Sequence, residues 1–585
     1  MDGRWSLDAL YKGYDDPAFS ADAERMKALN AEYDAFSNNL SCGEPKEILK
    51  QALAMQEELL ALMTRLYSFA GLRAAADARD EESAAWSGRL LAAYSDIAAA
   101  DARMRKFIAV LPDLDALIDS DPLLTEYAFL LRNIRADGRY LLTEQAEEAV
   151  AKLNISGGAA WSDLQSYLTS TVQAEYKGEQ LGLSAVRNLA YDPDPAVRKD
   201  AYEAEVKCYE KVRDGICFAI NSIKRQAITE TRLRGHESPL SRTLYEARMK
   251  RETLDALIAA IEESLPKFRE YLRAKGRALG HENGLPWYDL FAPMGRSDRK
   301  YTVEQARDEL LSLFGTFDAG MRDVIARAFD EQWIDFYPRD GKTGGAFCNG
   351  IHPIGQFRIL TNFDGSFSSV STLAHELGHG FHDQCILSHR ILNSSYCMPL
   401  AETASIFNEQ VLATAALKRA DGPQERLALL EGSIQEACQV ICDIYSRFRF
   451  ESALFDRREN EFMFPDTLCR MMLEAQAAAY GDGLDPQIRH PYMWACKSHY
   501  YSADLNFYNF PYAFGCLFAR GLYEKYAAEG SSFVPKYKEL LRAATVNTVE
   551  DTAAMVGVNV TDIEFWRSGL RSIADEIDEY VALLG

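Results

Sequence analysis

The sequence predicts a mainly α-helical protein carrying one small β element. Three observations predict it. Apolar residues recur at three- and four-residue intervals through most of the 585 residues, the spacing of amphipathic helices. Runs rich in β-branched residues at strand length are few. Helix-start chemistry is frequent, as in Asp194-Pro195 and at Pro399, where proline suits a first helical turn. The hydrophobic fraction of 48% beside 26% charged residues is that of an ordinary globular chain.

From residue 18 to about 105, Leu49, Leu53, Met55, Leu59, Leu60, Met63 and Leu66 trace one broad helical face. The charged stretch Asp77 to Glu82 interrupts it and a second run starts at Trp86, so two long antiparallel helices are expected. Helices follow over 122–136 and 143–153. Asp194 as N-cap and Pro195 then open a long helix to about Thr231. Further helices are expected over 253–277, 303–314 and 321–331. The texture changes from Trp333 to Cys348, which is rich in glycine and aromatics. Gln356 to Asn362 reads as a strand, either a sheet edge that pairs with an extended peptide or a scaffold strand. Helices resume over 399–418, 424–455 and 465–480. An irregular aromatic region spans 492–512, and a helical C-terminal part has Thr548 and Thr561 as expected caps. The organisation expected is a helical region over 1–110, a helical domain over 111–190 and a larger domain over 191–585.

Lys and Arg total 64 against 87 Asp and Glu, a net charge of −23. Such a surface repels phosphate backbones and anionic headgroups, so neither nucleic acid nor a membrane is an expected partner. No apolar run approaches the roughly 20 residues that span a bilayer, and the first residues do not read as a secretory signal. The eleven cysteines are odd in number and mostly isolated (Cys42, Cys208, Cys217, Cys469, Cys516). They read as reduced thiols of a cytoplasmic protein.

One stretch carries chemistry. Ser371 to His382 contains His375-Glu376-Leu-Gly-His379. On a helix the two histidines project from one face a turn apart, where they can share a zinc ion within reach of Glu376. A catalytic zinc wants a third protein ligand. The metzincin extension requires Gly three and His six residues beyond the second histidine. Those positions are His382 and Cys385, which excludes it. Glu402, 23 residues beyond His379 in a mostly apolar stretch, is the expected third ligand. Glu409, seven residues later, lies on the same helical face, where it can hydrogen-bond a ligand histidine.

Several separately placed motifs then point one way. Gly344-Gly-Ala-Phe-Cys348, Thr361-Asn-Phe-Asp-Gly365, Val370 through His382 and Ala401 through Glu409 resemble the oligoendopeptidase F branch of the thimet-oligopeptidase family. Trp287 through Pro293, His499-Tyr-Tyr501 and Phe507 through Gly515 extend the resemblance over roughly residues 190 to 580. It implies a two-lobed, clam-like helical metallopeptidase with a deep central channel and a small β-sheet beside the zinc helix. It implies one Zn2+ on His375, His379 and Glu402, with Glu376 activating its water. His382 is a family feature that reads as a packed histidine. By the family pattern His499 and Tyr512 face the scissile carbonyl. Tyr508 and Tyr501 are further candidates for the tyrosine that contacts the oxyanion.

The function expected is a cytoplasmic zinc oligoendopeptidase cleaving short, unfolded peptides. A zinc exopeptidase and a helical binding protein with a structural metal are the competing readings.

Overall fold

The computed structural model describes residues 3–40, 43–297 and 299–585, so Cys42 lies outside the described residues. Among the described residues helices dominate, and five short strands form two small sheets. The N-terminal part is four helices: α1 (Pro17–Ser37), α2 (Pro45–Ala76), α3 (Glu81–Ser95) and α4 (Ala98–Ala109). Two long helices were expected here, and local capping explains the difference. Asp80 accepts from the Ser83 N–H and starts α3 afresh, and the helical period breaks again at 96–97.

A hairpin of β1 (Gln173–Tyr176) and β2 (Glu179–Gly182) precedes α5 (Pro195–Tyr209). Asp194 caps α5 and Pro195 occupies its first turn, as the sequence requires. The helix does not run on to Thr231. It stops, and α6 (Arg213–Leu233) restarts after Val212, whose φ of −125° is not helical. Then comes α7 (Arg251–Ala278).

The sheet beside the functional motif has the order β3–β5–β4, from β3 (Ile334–Asp335), β4 (Phe347–Ile351) and β5 (Gln356–Leu360). The expected strand is therefore the central one. It pairs parallel to β3 and antiparallel to β4, so it has no free edge for a peptide. The longer edge belongs to β4.

Helix α8 (Phe367–Ile386) carries the His-Glu-x-x-His motif and is capped by Ser366, which accepts from the Ser369 N–H. It packs along α9 (Thr403–Arg419). Gly378 makes that approach possible, because a Cβ there would lie 2.5 Å from the Ala404 carbonyl oxygen and 2.6 Å from Ser405 Cα. Helices α10 (Pro423–Cys438) and α11 (Ile444–Arg458) are joined through a π-helical turn at Gln439–Asp443. After the aromatic region come α12 (Phe510–Glu529) and the C-terminal α13 (Ile563–Leu584). Thr548 caps as expected, but Asp562 and not Thr561 caps α13.

Buried apolar side chains gather into two cores. One joins residues between Leu10 and Ile134 with Ile351 of β4, and the other runs from Val172 to Tyr580. Among the described residues no helix is long and apolar enough to cross a membrane, and the ten described cysteines are all free.

Candidate active site

Helical geometry puts His375 and His379 on one face of α8, their ring centroids 4.9 Å apart and their planes at 78°. Both Nε2 atoms lie 3.3 Å from Glu402 Oε2. Two ligands bound at 2.0–2.1 Å on a tetrahedral ion lie about 3.3 Å apart, so these separations suit one metal ion. The three ligand atoms lie within 4.8 Å of one another, the one such cluster of His, Cys, Asp or Glu among the described residues.

Glu402 sits not within a helix, as the sequence suggested, but at the N-cap position of α9, with φ −90° and ψ 8°. The short 3₁₀ turn Met398–Leu400 delivers it there. Ser405 Oγ donates to Glu402 Oε2 at 2.7 Å and fixes the carboxylate. On the other side of the His375 ring, Nδ1 lies 3.3 Å from Glu409 Oε1.

The electrostatics match a cation-seeking site. Burial alone would pull His375 down, but Glu402 and Glu409 push it up to about 11 in the metal-free protein. Burial would raise Glu402, yet the two histidines hold it well below the usual carboxylate range. Glu376, Glu402 and Glu409 crowd carboxyl groups around two imidazoles, and burial together with Glu409 pushes the nearby Glu436 up to about 7, a crowding of acid that a divalent cation offsets. Glu376 is buried, and burial raises its pKa. No hydrogen bond to the described residues ties up its carboxylate.

The aromatic region converges on the same place. His499 lies with Tyr508 and Tyr512, at centroid separations of 5.3 Å and 6.1 Å, and the two tyrosines are 5.3 Å apart. Tyr512 is in the first turn of α12, one turn before Gly515, where a Cβ would lie 3.0 Å from Glu402 Cβ. Burial, the Tyr508 hydroxyl and the Glu402 charge all raise the Tyr512 hydroxyl, keeping it a proton donor. Burial, then the Arg447 and Lys497 cations, pull His499 down to about 4, so its imidazole is neutral. Tyr501 does not join this cluster. It is buried, and its hydroxyl donates to the Trp494 carbonyl at 2.9 Å. His382 is also packed away, stacked on Tyr396 at 4.3 Å with Nε2 3.0 Å from the Leu541 carbonyl oxygen.

Residues 188–571 match the model described as Peptidase family M3, and residues 112–173 match Oligopeptidase F. The chain belongs to peptidase family M3. As a family M3 protein it is a metallo-oligopeptidase, an enzyme of peptide hydrolysis. It is 22% identical over 592 residues to oligopeptidase PepF of Bacillus subtilis, covering 99% of this chain and 87% of that protein. Against group B oligopeptidase PepB of Streptococcus agalactiae it is 25% identical over 487 residues, 80% of each. The fold is similar to the crystal structure of oligoendopeptidase-F from Enterococcus faecium, with TM-score 0.72, 19% identity and coverage of 97% and 98%.

Sequence reasoning overlooked Arg447 and Asp443, an ion pair behind His499. Their signal was present as Asp-x-x-x-Arg, one helical turn apart, directly after the apolar run Val440-Ile441-Cys442.

Proposed function

We propose that this M3 peptidase is a zinc-dependent oligoendopeptidase that hydrolyses internal bonds of short, unfolded peptides in the cytoplasm, its catalytic unit spanning residues 191–585. The observation that carries the reading is the meeting of both α8 histidines with Glu402, while Glu376, on the same helix, keeps a carboxylate that nothing else holds. The free cysteines support a reducing compartment.

His375, His379 and Glu402 would hold the ion, with Glu409 orienting the His375 ring from Nδ1. When bound, zinc supplies a Lewis acid that polarises a carbonyl and lowers the pKa of water. Glu376 takes a proton from the attacking water and passes it to the leaving amine. Its buried setting, which raises its pKa, suits both acceptance and return of that proton. The Tyr512 hydroxyl, the neutral His499 imidazole and, beside them, Tyr508 donate to the oxyanion that forms at the scissile carbonyl.

The test is Glu376→Gln on zinc-loaded protein. It should keep one zinc per chain by elemental analysis while peptide cleavage falls by about 10²–10⁴. Mass spectrometry of products from a mixed peptide library, with and without chelator, should show internal cleavages. A Glu376→Gln protein that cleaves normally removes Glu376 as base, and products trimmed only from one end make the enzyme an exopeptidase.

A further inference from the structure

A second chemical environment lies behind the His499 cluster. A cavity of about 400 Å³ opens there, with Arg187, Asn188, Gln439 and Lys497 among its polar lining and Trp287 and Phe291 among its apolar walls. Its charges do not balance. Arg187 Nε is 3.2 Å from Glu205 Oε1, a carboxylate that also accepts from the Tyr209 hydroxyl at 3.3 Å and lies 3.1 Å from His490 Nε2. Arg447 pairs with Asp443. Lys497 is half-buried, and its ammonium makes no hydrogen bond or ion pair with any described residue; Asp443, the carboxylate that acts on it most strongly, is already engaged by Arg447. Arg198, also in the lining, pairs with Asp289 at 2.7 Å. Four cations thus face three carboxylates, and the cation without a bonded partner lines the cavity.

The cavity neighbours the reaction centre through charges that act on both. The Tyr512 hydroxyl lies within electrostatic reach of both Glu402 and Arg447. Arg447 and Lys497 both act on His499, and Lys497 precedes that histidine by two residues. The π-helical turn that contributes Gln439 to the cavity follows directly on α10, whose Glu436 is within reach of Glu409 and His375. An anion beside this lone, partly desolvated ammonium and two side-chain amides gains a charge-assisted hydrogen bond, and the anion a peptide carries is a carboxylate.

We propose that this cavity binds a carboxylate of the peptide substrate, the C-terminal one, with Lys497 as its cation. The proposal rests on the peptidase reading. A short peptide held by its end at this cavity presents its bonds to the metal site at a fixed distance from its C-terminus, so the cavity favours short free-acid peptides over longer or blocked ones.

The experiment compares one short peptide as free acid and as C-terminal amide, and the amide with Gln or Glu as its last residue. Affinities are read by calorimetry on zinc-loaded Glu376→Gln protein, and kcat/KM on the active enzyme. Because the binding arm needs no turnover, failure of the cavity and failure of the peptidase reading are separable. The free acid should exceed the amide by roughly tenfold, the worth of one charge-assisted hydrogen bond. That ratio should fall to about 1 in Lys497→Met and persist in Lys497→Arg. A Lys497-dependent gain confined to Glu over Gln in the amides assigns the cavity to a side-chain carboxylate instead of the terminus. Acid-to-amide and Glu-to-Gln ratios near 1 in the wild type, or ratios that survive Lys497→Met, overturn the proposal.

Discussion

His375 Nδ1 lies 3.3 Å from Glu409 Oε1, so the carboxylate one helix away sets which nitrogen of that ring is free for a metal. The Nε2 atom is thereby directed toward Glu402. A carboxylate behind a ligand histidine fixes its tautomer and orientation and raises its basicity. Glu409→Gln should weaken zinc binding by about 10–100-fold, measured by competition with a chromophoric chelator. Activity should return when zinc is raised. If affinity is unchanged, α9 holds His375 by packing alone.

The same carboxylates make metal binding depend on pH in a defined direction. His375 is raised from its ordinary 6.5 to about 11 in the metal-free protein. It therefore contributes stability to that form fully below about 6.5, and the contribution is lost as pH rises through about 11. Glu402 is shifted the other way. Its contribution is present above the ordinary carboxylate value and is lost as pH falls through its depressed one. A ligand imidazole must give up its proton, so zinc affinity should rise with pH between 6 and 9, with about one proton released per ion at pH 7. Calorimetry in buffers of different ionisation enthalpy counts that proton. Binding without proton release would mean that His375 is not held as an imidazolium between the two carboxylates.

How far the site was legible follows from how local each signal is. The placement of His375 and His379 needs only helical period, and Asp194-Pro195 and Pro465 mark helix starts by their own chemistry. Glu402 was identifiable by its apolar neighbourhood, but not its place before α9, because the 3₁₀ turn that presents it depends on packing against α12 near Gly515. Strand β5 was readable as a strand, whereas its central position depends on β3 and β4, whose short or glycine-bearing sequences carry little strand character. Tyr501 and Tyr508 look alike in sequence. Only the fold turns the first toward the Trp494 carbonyl and the second toward His499.

Gly378 is required by the neighbour and not by the motif's chemistry. Its added Cβ would meet backbone atoms of Ala404 and Ser405 at 2.5 and 2.6 Å, and backbone cannot rotate aside. Gly378→Ala should force α8 away from α9, drawing His379 from Glu402. Overpacking of this kind costs about 1–3 kcal/mol, and zinc affinity should fall at least tenfold alongside a lower melting temperature. An unchanged zinc affinity would show that the spacing of α8 and α9 does not set the ligand geometry.

The loop that presents Tyr508 and leads into Tyr512 at the start of α12 hangs on a buried charge pair far from the metal site in sequence. Lys224 Nζ donates to Glu451 Oε1 at 2.7 Å and to Asn506 Oδ1 at 2.9 Å, and Asn509 Nδ2 donates to Glu451 Oε2 at 2.8 Å. All four side chains are buried. Between the two asparagines Phe507 adopts φ +53°, a left-handed conformation unfavourable for a bulky residue, and stacks on Phe455 at 5.4 Å. The hydrogen bonds on both sides offset that strain and aim Tyr508. Lys224→Met leaves an unpaired buried carboxylate and should cost about 3–5 kcal/mol, whereas Lys224→Met with Glu451→Leu removes both charges and should recover most of it. The double variant still lacks the acceptors that hold Asn509 and the donor that holds Asn506. Its kcat should therefore stay low, with KM changed less, even as its melting temperature returns. Recovery of kcat together with stability would show that the pair holds the fold and does not position the tyrosines.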